Sequence, residues 1–132
     1  MPEKSVYDTR FFVEYFYSDD ADFRKKLKED LRKARNRIVS TLTVHETYRI
    51  DLEKEGREVA NLRAETIHRD FTIANVDFET AVRSAELRSK HRLPMADSII
   101  AATAQIHGCP VVSDDSHFQR IKDVKTRWYP TH

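Results

Sequence analysis

Apolar positions along this chain follow two different spacings. Short dense runs, Ser5–Tyr7, Arg37–Thr41, Phe71–Val76 and Pro110–Ser113, read as strands, with Ile38 and Val39 as the buried part of the second. Between them, positions recurring every three to four residues predict helices over Thr9–Tyr17, Ala21–Arg35, Val44–Glu55, Arg57–Arg69, Phe78–His91 and Met95–His107. Local signals mark their ends. Asp19 or Asp20 caps the second helix, Thr43 the third and Asp77 the fifth, while Pro94 opens the sixth. Gly56 and Gly108, the only two glycines, stand at helix C-termini. Ser116–Ile121 reads as one helical turn and Thr126–Tyr129 as a short last strand. Strands that alternate with helices imply an α/β fold whose parallel sheet is covered on both faces. No Pro/Gly-rich linker, repeat or low-complexity tract interrupts the 132 residues, so one domain over 1–132 is expected.

Composition narrows this picture. Cys109 is the only cysteine, which excludes an internal disulfide and suits a reducing cytosol. Its place at a half-buried strand entry favours a structural thiol over a nucleophile. The N-terminus shows no charged start followed by an apolar core, and the most apolar stretch, Ser98–Ile106, is too short to span a bilayer. A cytoplasmic protein with no membrane partner is the expectation. Net charge is only +1, so nucleic-acid binding does not follow from overall charge. A local excess does exist: Arg24, Lys25, Lys26, Lys28, Arg32, Lys33, Arg35 and Arg37 face only Glu29 and Asp30. It is either a basic track for a phosphate backbone or a solvated helix face.

Candidate chemistry lies in four carboxylates. Asp8 directly follows the first strand and Asp115 closely follows the fourth. In an open parallel sheet, ligands bind beyond the carboxyl ends of the strands, where strand order reverses. If strands one and four are neighbours, Asp8 and Asp115 meet there. Glu46 and Asp97 sit in the first turns of helices whose N-termini point to the same edge. Crowded carboxylates repel one another unless a cation compensates, and Mg²⁺ or Mn²⁺, with its preference for oxygen ligands, is the natural one. Such ions activate water and stabilise the departing oxygen of a phosphodiester. Each residue also has a structural reading. Asp8 is a natural N-cap for the next helix, Thr43 and Glu46 have capping-box spacing, and Asp97 favours a helix dipole. Asp114 and Asp115 suit a turn. Zinc-ligand spacing, a Gly-rich phosphate loop and a Gly-x-Ser-x-Gly elbow are all absent from the sequence.

Four segments in this order resemble a known family. Tyr7-Asp8-Thr9-Arg10-Phe11-Phe12 resembles the first motif of PIN domains, and Thr43-Val44-His45-Glu46 the second. Leu93-Pro-Met-Ala-Asp-Ser-Ile-Ile-Ala-Ala-Thr-Ala, His107-Gly108 and Val111-Val112-Ser113-Asp114-Asp115-Ser116-His117-Phe118 resemble the C-terminal signature. The resemblance covers essentially the whole chain. It implies a three-layer α/β/α fold with strand order 3-2-1-4-5 and RNA cleavage dependent on Mg²⁺ or Mn²⁺. It implies that Asp8, Glu46, Asp97 and Asp115 are the catalytic and metal-binding acids. Ser113 stands where the family often has Thr, and its hydroxyl would orient a carboxylate or a water. Asp114, Thr9 and Arg10 are further supporting candidates, with Arg10 either a phosphate contact or a surface residue. Many short PIN proteins are VapC-type toxins paired with an antitoxin protein, which implies such a partner here.

The rest of the sequence leaves choices open. Phe11, Phe12, Tyr15, Phe16 and Tyr17 cannot all face inward on one short helix, so some form core and the rest either join it or offer a surface to a partner or a second subunit. A homodimer is expected. His68, His91, His107 and His117 show no metal-ligand spacing, and Trp128 reads as packing. The leading function is an endoribonuclease toxin. The alternatives are an RNA-processing PIN nuclease or a non-catalytic RNA- or protein-binding PIN module. A phosphoacceptor receiver also groups aspartates at strand ends, but its acid pair follows the first strand, whereas Asp114-Asp115 comes late.

Overall fold

In the computed structural model, described over residues 4–129, strands and helices alternate around a five-stranded parallel sheet. The ends of the 1–132 span, including the N-terminal segment read for a leader, lie outside the described residues. The strands are β1 (Lys4–Tyr7), β2 (Asn36–Ser40), β3 (Thr72–Ala74), β4 (Val111–Val112) and β5 (Thr126–Arg127). Their order is β3-β2-β1-β4-β5, as the resemblance implies. The helices are α1 (Thr9–Tyr17), α2 (Ala21–Lys33), α3 (Thr41–Glu55), α4 (Arg57–Asp70), α5 (Phe78–His91) and α6 (Met95–His107). A 3₁₀ turn runs over Ser116–Arg120.

The sheet is buried on both sides because adjacent strand residues point to opposite faces. Val6, Ile38 and Val111 join Leu93, Ile100, Ala101 and Phe118 in the core on the α6 side. Tyr7, Val39 and Val112, each one residue further on, join Phe11, Phe12, Phe23, Leu27 and Ile67 in the core on the α1, α2 and α4 side. Val6 pairs with Ile38 on one side and Val111 on the other, so β1 stands at the centre, between β2 and β4.

Local signals place most element ends where they were expected. Asp20, rather than Asp19, caps α2 by accepting from the Phe23 N–H at 3.1 Å, and Asp77 caps α5. Gly56 (φ 93°) and Gly108 (φ 62°) close α3 and α6 in conformations that disfavour a side chain. Several expected bounds need correction, the fourth strand narrowing to Val111–Val112 and the last to Thr126–Arg127. The second helix stops at Lys33, two residues early, and the third strand is confined to three residues. The third helix begins at Thr41, not Val44. Ser40 ends β2 and is its N-cap, accepting from the Leu42 N–H at 3.1 Å. Thr43 therefore lies inside the helix, fully buried, and its Oγ1 has no hydrogen-bond partner. Without a cap at Thr43, no capping box joins it to Glu46.

The aromatic helix leaves none of its five rings fully exposed. Phe11 and Phe12 are buried, and Tyr15, Phe16 and Tyr17 are half-buried. The Arg63 guanidinium from α4 lies 4.2 Å from the centre of the Phe16 ring. Tyr17 Oη donates to Asp51 Oδ1 at 2.5 Å, and Arg63 Nη1 donates to the same oxygen at 2.9 Å. Burial, reinforced by the Asp51 carboxylate, pushes the Tyr17 phenol up to about 12, so its proton stays in place to be donated. This triad ties α1 to α3 and α4. Large exposed apolar side chains lie elsewhere, among them Val76, Phe78, Val82 and Met95. No helix among the described residues is long and apolar enough to cross a membrane.

Candidate functional site

The carboxyl ends of β1 and β4, which are neighbours, carry the central groups. Asp8 follows β1 and fills the capping role that the sequence allows. It caps α1, with Oδ1 accepting from the Thr9 N–H at 2.8 Å, and its Oδ2 accepts from Ser113 Oγ at 2.8 Å. Ser113 in turn accepts from the Asp115 N–H at 3.0 Å. One hydroxyl therefore links the two strand ends, holding the Asp8 carboxylate on one side and the Asp115 backbone on the other. Asp97 lies in the first turn of α6, where Pro94 leaves the chain extended before the helix. Asp115 caps the 3₁₀ turn, with Oδ1 accepting from the His117 N–H at 2.9 Å. That turn is anchored by Phe118, which is fully buried in the α6-side core.

Electrostatics mark this edge as short of positive charge. Asp8 is 7% exposed, and burial pushes its carboxyl up to about 6. The Ser113 and Thr9 hydrogen bonds oppose that rise, while the charges of Asp97 and Asp115 add to it. Asp97 is also raised, first by burial and then by Asp115, with His117 acting against both. Ordinary ion pairs do not relieve Asp8. Arg10, the nearby cation, is turned outward, with Nε 3.0 Å from Asp114 Oδ1 and Nη2 3.7 Å from Glu14 Oε1.

The structure thus sorts the predicted residues. Asp97 and Asp115 come close enough to raise Asp8, and Asp115 close enough to raise Asp97. Glu46 lies in the second turn of α3 rather than the first and reaches the group through Thr9, whose Oγ1 donates to Glu46 Oε1 at 2.5 Å. Thr9 and Ser113 each donate a hydroxyl hydrogen bond to one of these acids, Glu46 and Asp8 respectively. Asp114 is exposed and engaged with Arg10, so it stands apart from the other acids, and Arg10 lies on the surface. In the basic segment, Arg24 donates to the Ser18 carbonyl and Arg37 to the Leu31 and Asp70 carbonyls, so both serve the fold. Phe23 and Leu27 turn inward from α2, leaving Lys25, Lys26, Lys28, Arg32 and Lys33 on its exposed face.

The sequence puts His117 near the proposed acids but shows no metal-ligand spacing for it. Its Nδ1 lies 2.6 Å from Asp97 Oδ2 and 3.0 Å from Asp115 Oδ1. One ligand atom from each of Asp97, Asp115 and His117 falls within 4.8 Å of the other two. Nδ1 is closed off from solvent, yet neither carboxylate contact is aligned as a hydrogen bond. A local signal was available: a histidine two residues after a capping aspartate is folded back onto it. The donor set fits a divalent cation, since it offers hard carboxylate oxygens that no lysine or arginine among the described residues pairs with, and one nitrogen without an aligned hydrogen bond.

The sequence matches the description of the PIN domain over residues 5–124. The chain belongs to the PIN-domain family. No curated protein sequence matches it. Among solved structures, this PIN domain is similar to VapBC2 from Rickettsia felis bound to a promoter DNA fragment, with TM-score 0.78, 13% identity, and coverage of 97% of this chain and 100% of that one. It is similar to FitAcB from Neisseria gonorrhoeae, with TM-score 0.74, 22% identity, and coverage of 92% and 95%. It also resembles VapC20 of Mycobacterium tuberculosis, described as a sarcin-ricin loop cleaving toxin, with TM-score 0.75, 16% identity, and coverage of 90% and 95%. This chain shares the fold of these three proteins.

Proposed function

We propose that this PIN domain is an endoribonuclease dependent on Mg²⁺ or Mn²⁺ and the toxin of a cytoplasmic toxin–antitoxin pair. The observation that carries the reading is Asp8: a carboxyl pushed up to about 6 at a sheet edge, facing Asp97 and Asp115 with no ion-pair partner of its own. Such a group is poised for a cation rather than for the fold. Asp8, Glu46, Asp97 and Asp115 are the residues assigned to hold the ion and carry catalysis. When bound, a divalent ion supplies an activated water and stabilises charge on the departing oxygen.

The remaining work falls to the protein's own side chains. Ser113 fixes the Asp8 carboxylate by donating to Oδ2, and Thr9 holds Glu46 through its hydroxyl. Both contacts lock acids that would otherwise swing apart under mutual repulsion. The exposed lysines of α2 supply attraction for an RNA backbone, which would make binding weaken with salt. The match to a sarcin-ricin loop cleaving toxin supports RNA as the substrate, and the VapBC matches support an antitoxin partner. The expected homodimer would pair through Val76, Phe78, Val82 and Met95, since Phe78 is 85% exposed and the aromatic side chains of α1 are engaged within the protein. Light scattering that returns a monomer mass would remove that part of the reading.

The deciding experiment incubates purified protein with labelled structured RNAs and Mg²⁺ or Mn²⁺, beside Asp8→Asn and Asp97→Asn variants prepared identically. Metal-dependent cleavage by the parent alone, leaving 5′-phosphate and 3′-hydroxyl ends, is the expected result. Products ending in 2′,3′-cyclic phosphate would sink the mechanism, because they arise from attack by the RNA's own 2′-hydroxyl. Equal cleavage by all three proteins would point to a contaminant.

A further inference from the structure

We propose that His117 is a direct ligand of the catalytic cation through Nδ1, beside Asp97 and Asp115, making a mixed nitrogen–oxygen site that selects Mn²⁺ over Mg²⁺. The inference rests on the nuclease reading of the same site and adds to it a ligand and a metal preference.

The ring is held in place from its own backbone. The His117 N–H donates to Asp115 Oδ1, and Phe118, the next residue, is fully buried. The side chain is 34% exposed, yet Nδ1 itself is sealed from water and faces two carboxylate oxygens at 2.6 and 3.0 Å. Ionised carboxylates only accept hydrogen bonds. Neither contact satisfies Nδ1 as a hydrogen bond by its geometry. A cation shared by the three residues would satisfy the nitrogen and both carboxylate oxygens at once, and one ligand atom from each lies within 4.8 Å of the other two. The spacing agrees. Adjacent donors in an octahedral shell with bonds of about 2.1 Å lie about 3 Å apart. The Asp115 contact already has that separation, and the Asp97 contact needs a small widening.

The metal preference follows from ligand chemistry. Mg²⁺ takes oxygen donors and retains its waters, so an imidazole adds little to its binding. Transition-metal ions accept imidazole nitrogen readily, and Mn²⁺ also suits carboxylate oxygens, so of these two ions it gains more from His117.

The test compares the parent with His117→Ala and His117→Gln, each stripped of metal and titrated separately with MnCl₂ and MgCl₂ by calorimetry. Melting curves confirm that each variant is folded. The parent is expected to bind Mn²⁺ about tenfold or more tightly than Mg²⁺. Both variants should lose about tenfold in Mn²⁺ affinity and change by less than about threefold for Mg²⁺. Pulsed EPR of the parent Mn²⁺ complex should show ¹⁴N modulation from a coordinated imidazole, absent in both variants. Bound Mn²⁺ without that modulation, or modulation that survives in the variants, overturns the inference while leaving the nuclease reading intact. Equal losses for both metals overturn it too, since they would make His117 a positioning residue. A parent that binds neither metal overturns both readings together.

Discussion

Replacing Asp8 by Asn separates the demands of the site from those of the fold. Asp8 is a buried acid raised from 3.8 to about 6, chiefly by burial. A folded-state pKa above the unfolded one means that ionisation opposes folding. The protonated group favours the folded state below about pH 4, and that advantage is lost as pH rises through about 6. The full rise corresponds to about 3 kcal/mol at pH 7.5. Asparagine removes the charge but disturbs the hydrogen bond from Ser113, which returns about 1 kcal/mol. In EDTA, Asp8→Asn should therefore be more stable than the parent by about 2 kcal/mol at pH 7.5. The gain should vanish near pH 4. At this chain length it amounts to a rise of several degrees in melting temperature, by circular dichroism. Saturating Mn²⁺ should reverse the order, because a ligand at one hundred times its Kd stabilises the parent by about 2.7 kcal/mol and the variant has lost a ligand. A variant less stable than the parent at pH 7.5 in EDTA would refute the reasoning. It would show that the capping and Ser113 hydrogen bonds outweigh the burial of charge, making Asp8 a structural residue first.

Three further outcomes follow from the packing. Arg63→Ala leaves Asp51, which is 2% exposed, without its cation, and should cost about 2–4 kcal/mol in urea unfolding; a loss below about 0.5 kcal/mol would show that Tyr17 alone satisfies the acid. Thr43→Val replaces a fully buried, unpartnered hydroxyl by a methyl of similar size and should be neutral or add up to about 1 kcal/mol, so a clear loss of stability would reveal a partner for that oxygen. Phe118→Ala empties the core beneath the 3₁₀ turn and should cost about 3–5 kcal/mol, with weaker metal binding because Asp115 and His117 ride on that turn; unchanged metal affinity would detach the turn from the site.

Features governed by neighbouring residues were legible in the sequence. The bounds of α1, α5 and α6 follow from Asp8, Asp77, Pro94 and Gly108, which act within a turn of where they stand. The start of α3 was not legible. Ser40 and Thr43 can each cap a helix, and the choice falls to Ser40 because β2 pairs with β3 as far as Ser40 and Ala74. That pairing lies outside any local window. The motif groups Glu46 with the other acids, and in the structure its contact toward them runs through Thr9, 37 residues away in sequence. His117 was not legible as a ligand because its significance depends on where Asp97 comes to rest, and histidine spacing along the chain carries no trace of that.

The sequence by itself determined the paired buried residues of each strand, the caps that start and stop most helices, and the presence of four acids in contexts that favour a cation. Those are properties of residue type and short-range spacing. Tertiary structure decided which groups meet. Placing β1 beside β4 brings Ser113 against Asp8, 105 residues apart in the chain. It also decided what those groups are. Burial makes Asp8 a weak acid, the Asp114 pair takes Arg10 away from the site, and a buried phenylalanine turns His117 toward Asp97. Charge interactions and desolvation depend on distance and burial in space, and the order of residues along the chain specifies neither until the sheet has formed.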